Sequence, residues 1–262
     1  MAYRLMPRKL RLLGEHHHVL LSIVLNEMVL VLLILLACSG TTHSQVLHFA
    51  ATGCGPYAPD EEPLLEHYID PVNRDGKSEF LVHLGDVVSG SKGKWPESQY
   101  ATVANILKKS KPPVVVVLGD NEWNDLDTPD EGLAFWNRHF RDFDKHFPNA
   151  PTLEKQKSRP ENFAFVSKGV LVVELNSVGG KIHDKAEWAT RLQQDADWVA
   201  EQFALHKSDT RAAVLLAQAT PAGSQELFFK QLATRKAKTE SNGLNQNWAS
   251  SNFRGRRTTT LF

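Results

Sequence analysis

The chain has 262 residues, enough for one globular domain with terminal extensions and a substantial hydrophobic core. Its 30 basic residues balance 30 acidic ones, so the net charge gives no reason to expect nucleic acid or an anionic surface as a partner. Only two cysteines occur, and neither a CxxC nor a zinc-ribbon spacing is present, which excludes inference of a disulfide framework.

Residues 1–45 differ from the rest of the chain and predict a targeting segment. Four basic residues precede an apolar stretch over 19–37 that ends in small residues. The polar pair Asn26 and Glu27 makes this stretch marginal as a membrane span, which needs about 20 apolar residues. We interpret the segment as a secretory signal peptide or a signal anchor, which predicts a secreted or membrane-anchored domain. A buried core helix is the alternative interpretation.

From Val46 onward, predicted strands and helices alternate, a pattern typical of a parallel α/β sheet. The predicted strands lie at 46–52, 80–84, 114–118, 160–166, 170–175 and 211–217, and the predicted helices lie around 61–68, 95–107, 135–143, 184–206 and 224–235. The short loop Ser167-Lys-Gly169 joins two β-rich runs and predicts an antiparallel hairpin, which we place in a second sheet.

The last part of the chain, residues 238–262, is polar and has no periodic apolar face. We interpret it as a disordered or loosely attached tail. The predicted organisation is therefore a targeting segment at 1–45, one folded domain at 46–237 and a polar tail at 238–262.

Two of the predicted strands end in Gly-Asp, as Gly85-Asp86 and as Gly119-Asp120, and the second continues into Asn121-Glu122. Taken singly, each Gly-Asp is more often a turn than a metal site. The carboxyl ends of parallel strands meet at one edge of a sheet, so we expect these oxygen donors to share one crevice. Hard oxygen donors suit Mg, Mn or a mixed Fe or Zn centre, and two ions about 3.5–4 Å apart activate water for phosphoester hydrolysis.

These two strand endings, the second of which continues as Gly119-Asp-Asn-Glu-Trp-Asn-Asp125, resemble the calcineurin-like metallophosphoesterase superfamily over roughly residues 46–230. The resemblance implies an α/β sandwich of αββα type, with two mixed sheets flanked by helices and metals at the strand ends. It implies that Asp86 is the metal-bridging carboxylate. It also implies that Asp120 and Asn121 occupy the amide-ligand and phosphate-contact positions, which makes both candidates for metal binding and for catalysis.

Three departures from the family pattern affect the ligand set that the resemblance implies. Cys54 stands where the first strand of the family delivers an aspartate, and its thiolate suits Zn or Fe better than Mg or Mn. Gln218 stands where a strand exit presents a histidine, and it offers only a carbonyl oxygen. No Gly-x-His block follows Lys230, which predicts a fold that lacks its final strands.

Several neighbours of the site are expected to have structural roles. Glu122 is expected to support its loop by hydrogen bonding, and Trp123 to pack as a strand-exit aromatic. His83 lies within a predicted buried strand and is expected to be buried and hydrogen-bonded, whereas His183 and His206 are expected at the surface or at helix ends.

The sequence thus supports two hypotheses. The first is a metal-dependent phosphoesterase, hydrolysing phosphate mono- or diesters with divalent Mn, Fe, Zn or Mg through an incomplete ligand set. The second is a non-catalytic or truncated relative that keeps the fold and at most weak ion or phosphate binding. The expected partners are a small phosphorylated substrate if the protein is active, and the membrane if the apolar segment is uncleaved. No Gly-rich phosphate fingerprint supports a generic nucleotide-binding protein.

Overall fold

A computed structural model describes residues 46–219, 223–241, 251–253 and 259–261. The predicted targeting segment at 1–45 lies outside these ranges. Within them, no helix combines the length and the apolar character that crossing a bilayer requires.

The first sheet contains three parallel strands in the order β1-β2-β3. These strands are β1 (Phe49–Thr52), β2 (Phe80–His83) and β3 (Val114–Val116). Thr52 pairs with His83, which pairs with Val116, so the three chain segments that leave the strands emerge at the same edge. This edge is where the sequence predicted the crevice.

The second sheet is mixed and has the strand order β4-β5-β6-β7-β9-β8. Its strands are β4 (Glu154–Lys155), β5 (Phe163–Ser167), β6 (Val170–Glu174), β7 (Ala212–Ala217), β8 (Ser251–Phe253) and β9 (Thr259–Leu261). The β5–β6 hairpin is confirmed: its two turn residues, Lys168 and Gly169, both have positive φ, as a tight turn between twisted antiparallel strands requires. β6 and β7 are parallel, so their carboxyl ends also lie together.

Strands β8 and β9 fall within residues 238–262, which the sequence analysis interprets as a polar tail. β9 pairs antiparallel with β7 through Leu216 and Leu261, and β8 pairs with β9. The sequence analysis expected the final strands to be missing, but the backbone extends the sheet beyond β7. Pairing along a sheet edge uses backbone groups, so it leaves little trace in the apolar pattern of three-residue strands.

Among the residues that the structure describes, five α-helices flank the sheets: α1 (Glu62–Asp75), α2 (Glu97–Leu107), α3 (Pro129–His139), α4 (Lys185–Leu205) and α5 (Glu226–Ser241). Proline stands in the first turn of α1 and of α3, where its missing N–H is harmless. Asp184 caps α4 by accepting hydrogen bonds from the backbone N–H groups of Ala186 and Glu187.

Three apolar layers hold these elements together and confirm the αββα sandwich. Phe80 and Val82 of β2 point between the sheets, where they meet residues such as Phe165 of β5. Leu81, between them in the sequence, faces the opposite way, toward the layer formed with α1, α2 and α3. A third layer joins the outer face of the second sheet to α4 and α5.

Candidate functional site

The crevice lies where chain segments from both sheets leave their strands. Cys54 follows β1, Asp86 follows β2, Asp120 follows β3, and Gln218 directly follows β7. The structure brings these four predicted site residues into contact, through the hydrogen bonds that Asp86 and Gln218 make.

Asp86 is the centre of this cluster. Its Oδ2 atom accepts a hydrogen bond from the Tyr57 hydroxyl at 3.3 Å and lies 3.5 Å from the Cys54 Sγ atom. Its Oδ1 atom lies 3.4 Å from the backbone N–H of Asn121, which donates to it. Asp86 has a φ of 58°, a left-handed conformation that is uncommon for residues other than glycine. Backbone strain of this kind is concentrated at functional sites.

Gln218 links Asp86 to Asp120. Its Nε2 atom donates to Asp120 Oδ1 at 3.0 Å and lies 3.4 Å from each carboxylate oxygen of Asp86. Its Oε1 atom accepts a hydrogen bond from the backbone N–H of Gly179 at 2.8 Å. A backbone N–H only donates, so it must face the amide oxygen, and this fixes the amide with its NH₂ group toward the carboxylates.

Two carboxyl groups of the crevice, those of Asp120 and Glu122, have raised pKa values. Burial, followed by the negative charge of Asp86, raises the pKa of Asp120 to about 8. Burial likewise raises the pKa of Glu122 well above its ordinary value, and the charge of Asp86 adds to that shift. The crevice therefore raises the pKa of both Asp120 and Glu122 and favours their protonated forms.

Glu122 connects the chain segments that follow β2 and β3 through hydrogen bonds. Its fully buried carboxylate accepts hydrogen bonds from the backbone N–H groups of Gly119 at 2.7 Å, Asp86 at 3.2 Å and Val87 at 3.1 Å. The predicted supporting role of Glu122 is thus confirmed. It also explains how Asp86 is held in its unusual backbone conformation.

Trp123 packs as predicted. The Arg191 guanidinium, which is completely buried, lies 4.8 Å from the ring centroid of Trp123 and 4.3 Å from that of Trp188. Arg191 also donates to the Asn176 carbonyl at 3.1 Å and pairs with Glu187. These contacts pack helix α4 against the loop that carries Asp120. Trp123 therefore has a structural role beside the site.

The side chain of Asn121 packs against Gly90. Its Oδ1 atom packs so closely against Gly90 that a Cβ atom at that glycine would overlap it. Its Nδ2 atom is buried without a hydrogen-bond partner among the described residues. Of the Asp120–Asn121 pair, only Asp120 shares a side-chain donor with Asp86, and the ligand and phosphate-contact roles of both residues stay predictions.

The three histidines considered above contact groups other than Asp86 and Asp120. His83 is buried and its Nε2 atom lies 2.9 Å from the Gly55 carbonyl oxygen, as expected, and burial lowers its pKa. His183 is exposed and contacts the Asn124 carbonyl. His206 ends α4 and lies 3.0 Å from a Glu154 oxygen.

The donor set does not fit a two-metal centre. In the described ranges, no group of three or more His, Cys, Asp or Glu side chains has a geometry that could hold a metal ion. Gln218 does not add a ligand: its carbonyl oxygen, the atom predicted as a doubtful ligand, faces Gly179, and its NH₂ group faces the carboxylates. Two metal ions need more anionic or imidazole ligands than Asp86, Asp120 and the Cys54 thiol supply.

Two groups of the site were missed by the sequence analysis. The Tyr57 hydroxyl bonds to Asp86, and the Gly179 backbone N–H orients Gln218. Both lie in chain segments that follow strands, Tyr57 after β1 and Gly179 after β6, and such segments are where a search for further site residues would begin.

Comparisons with known proteins give a family match and a similar solved structure. The family model for calcineurin-like phosphoesterases matches residues 42–244. Among solved structures, a dimetal phosphatase from Danio rerio is similar, with 13% sequence identity, a TM-score of 0.49 and coverage of 74% of this chain and 78% of that one. No curated protein matches the sequence.

Proposed function

The chain belongs to the calcineurin-like phosphoesterase family, and from that premise we propose that it keeps the family fold without hydrolysing phosphoesters. A shared fold does not confer activity, which depends on the site. One observation carries the proposal: the Gln218 amide donates to both Asp86 and Asp120, the carboxylates that would have to hold the catalytic ions.

Electrostatics supports the same conclusion. Calcineurin-like phosphoesterases use divalent metals, which supply positive charge to the phosphate. In this crevice the Tyr57 hydroxyl faces Asp86 and the Gln218 NH₂ group faces both Asp86 and Asp120, and these two donors carry only partial charges. These donors therefore offer a phosphate dianion far less positive charge than two divalent metal ions would.

A metal-dependent phosphoesterase with an incomplete ligand set is the second candidate. The observation that favours it is the convergence of Asp86, Asp120 and the Cys54 thiol at the carboxyl edge of the strands. That arrangement offers two hard ligands and one soft one, a set that Zn or Fe tolerates better than Mg. Its substrate would be a small phosphate ester.

Metal content and turnover test the proposed function. We expect the purified full chain, incubated with Mn²⁺, Fe²⁺ or Zn²⁺ and then dialysed, to retain no stoichiometric metal. We also expect it to hydrolyse a generic aryl phosphate no faster than its Asp86→Ala variant does. Bound metal together with turnover that Asp86→Ala abolishes would establish the second candidate instead.

We also propose that the domain is exported, either secreted or anchored in the membrane through residues 1–45. The basic flank and the apolar stretch over 19–37 support this proposal. Fractionation of expressing cells tests it: recovery of the protein only from the cytoplasmic fraction would contradict it.

A further inference from the structure

The edge of the first sheet opposite the crevice is rich in positive charge. The chain segments that lead into β1, β2 and β3 meet there: the Glu79 N–H donates to the His48 carbonyl at 2.8 Å, and the Leu81 N–H donates to the Pro113 carbonyl at 2.8 Å. Five exposed basic side chains, which we call the basic edge, lie on these segments and on the helix ends beside them: Arg74, Lys77, Lys108, Lys109 and Lys111.

Asn73, near the end of α1, holds the two parts of the basic edge together. Its Nδ2 atom donates to the Lys109 carbonyl at 2.9 Å, and its Oδ1 atom accepts a hydrogen bond from the Lys111 N–H at 2.6 Å. The end of α1, which carries Arg74, therefore lies against the segment between α2 and β3, which carries three of the lysines. The five basic side chains thus belong to one surface.

Acidic side chains offset only part of this charge. Glu66 pairs with Lys109, and Asp75 accepts a hydrogen bond from the backbone N–H of Lys77 at 2.9 Å. Glu79 lies beside the basic edge, but its carboxylate pairs with Lys168, which lies outside it. Positive charge is therefore in excess on this surface.

Helix stability accounts for some of the basic side chains but not for all of them. Arg74 lies in the last turn of α1 and Lys108 caps the carboxyl end of α2, where a positive charge stabilises the helix dipole. Lys77 and Lys111 lie outside the helices. The helix dipoles therefore give no reason for these two lysines.

The opposite edge of the sheet has the opposite charge. Residues 108–113, which lead into β3, contain three lysines and no acidic residue, whereas residues 119–131, which follow β3, contain six acidic residues and no basic one. The balanced net charge of the chain thus conceals a separation of charge across the first sheet. A charge separation of this kind orients a protein at a charged surface.

The chain enters the domain at the basic edge. Val46 lies two residues before His48, whose carbonyl bonds to the segment that carries Lys77. Residues 38–45 connect Val46 to the apolar stretch over 19–37, and they span at most about 28 Å when fully extended. If that stretch is anchored in a bilayer, as proposed above, the connection keeps the basic edge close to the lipid surface.

We propose that the basic edge binds the anionic headgroups of a lipid bilayer, and that the crevice then lies on the side of the domain that faces away from the bilayer. Anionic lipids attract clusters of lysine and arginine beside a membrane anchor. The argument from the chain connection rests on the proposed anchoring, whereas the charge of the surface is independent of it.

Lysine acetylation on the full-length protein tests this inference. The protein is mixed with vesicles of phosphatidylcholine, or of phosphatidylcholine with added phosphatidylglycerol, and is then treated with an acetylating reagent. Mass spectrometry gives the rate at which each lysine reacts. Lys94 is the matched control, because it is exposed like Lys109 and also pairs with a glutamate, but it lies on the segment that follows β2 at the crevice edge.

We expect Lys77, Lys109 and Lys111 to react about fivefold more slowly in the anionic vesicles than in the neutral ones, and Lys94 to react equally fast in both. Each lysine near an anionic surface contributes about a factor of five to binding. Salt at about 1 M, where the Debye length is about 3 Å, should remove the difference.

Substitutions of exposed side chains give a second measurement. The variant with Lys108→Ala, Lys109→Ala and Lys111→Ala is expected to lose the protection of Lys77 in anionic vesicles. The variant with Lys92→Ala and Lys94→Ala, which removes exposed lysines at the crevice edge, should keep that protection.

Three results would overturn the inference. The first is equal reaction rates in the two kinds of vesicle, and the second is protection that high salt leaves unchanged. The third is equal protection by soluble glycerol phosphate without vesicles, which would indicate a site for a free anion. None of these results bears on the metal content and turnover of the crevice, and the export proposal is decided separately by fractionation.

Discussion

Replacing Glu122 by alanine is expected to lower the free energy of unfolding by about 3–5 kcal/mol, because three buried backbone N–H groups lose their acceptor. Those groups belong to Gly119, Asp86 and Val87, so the substitution releases both strand ends at once. Asp86 would lose part of what holds its left-handed backbone conformation. Urea unfolding at pH 7, followed by circular dichroism, measures the change.

Two further variants make this result specific. Glu122→Gln keeps one amide oxygen as an acceptor, so its loss of stability should be smaller than that of Glu122→Ala. Glu226→Ala removes an exposed glutamate that pairs with Lys230 across one helical turn, so it should leave the free energy of unfolding nearly unchanged. A Glu122→Ala variant as stable as Glu226→Ala would show that water or neighbouring groups satisfy the three N–H groups.

Apolar patterning explains why the fold was predictable for most of the chain. The Val-rich run before Gly119 and the runs that pair in the β5–β6 hairpin are long enough to fix both strand type and sheet. Strand β4 has only two residues, and β8 and β9 have three each, so they carry no alternation to detect. Their positions are set by pairing with a neighbouring strand. The sequence of the short strand alone does not show which strand it pairs with.

The sequence predicted which residues converge at the site. It did not predict the orientation of their hydrogen-bonding groups. The Gly-Asp endings predicted that Asp86 and Asp120 would share a crevice, because parallel strands present their carboxyl ends together. The orientation of the Gln218 amide depends on the N–H of Gly179, which lies 39 positions earlier in the chain. Whether a glutamine offers its oxygen or its NH₂ group to a carboxylate pair is decided by such long-range contacts, and composition and spacing contain no information about them.

A second buried carboxyl group lies on α4, away from the crevice. Asp195 is completely buried; its Oδ1 atom accepts a hydrogen bond from Asn162 at 2.8 Å, and its Oδ2 atom has no hydrogen-bond partner among the described residues. Burial raises the pKa of Asp195 from 3.8 to about 7, although the charges of Arg191 and Arg159 act in the opposite direction. The folded state therefore favours the protonated form of this side chain.

The sign of the resulting pH dependence follows from that shift. The folded-state pKa lies above the unfolded-state value, so the contribution of Asp195 to stability is complete below about pH 4 and is lost as the pH rises through 7. A shift of about three units corresponds to at most about 4 kcal/mol. Asparagine imitates the protonated side chain and keeps an oxygen for Asn162, so Asp195→Asn removes this loss.

We therefore expect Asp195→Asn to gain about 2–4 kcal/mol relative to wild type between pH 4 and pH 8, measured by urea unfolding across that range. Asp197→Asn, on the exposed side of the same helix, is the matched control and should follow the wild-type curve. Some loss of stability with rising pH should persist in Asp195→Asn, because burial also raises the pKa of Glu174, whose two carboxylate oxygens have no hydrogen-bond partner among the described residues. Parallel curves for Asp195→Asn and wild type would mean that Asp195 ionises in the folded protein as easily as in the unfolded chain.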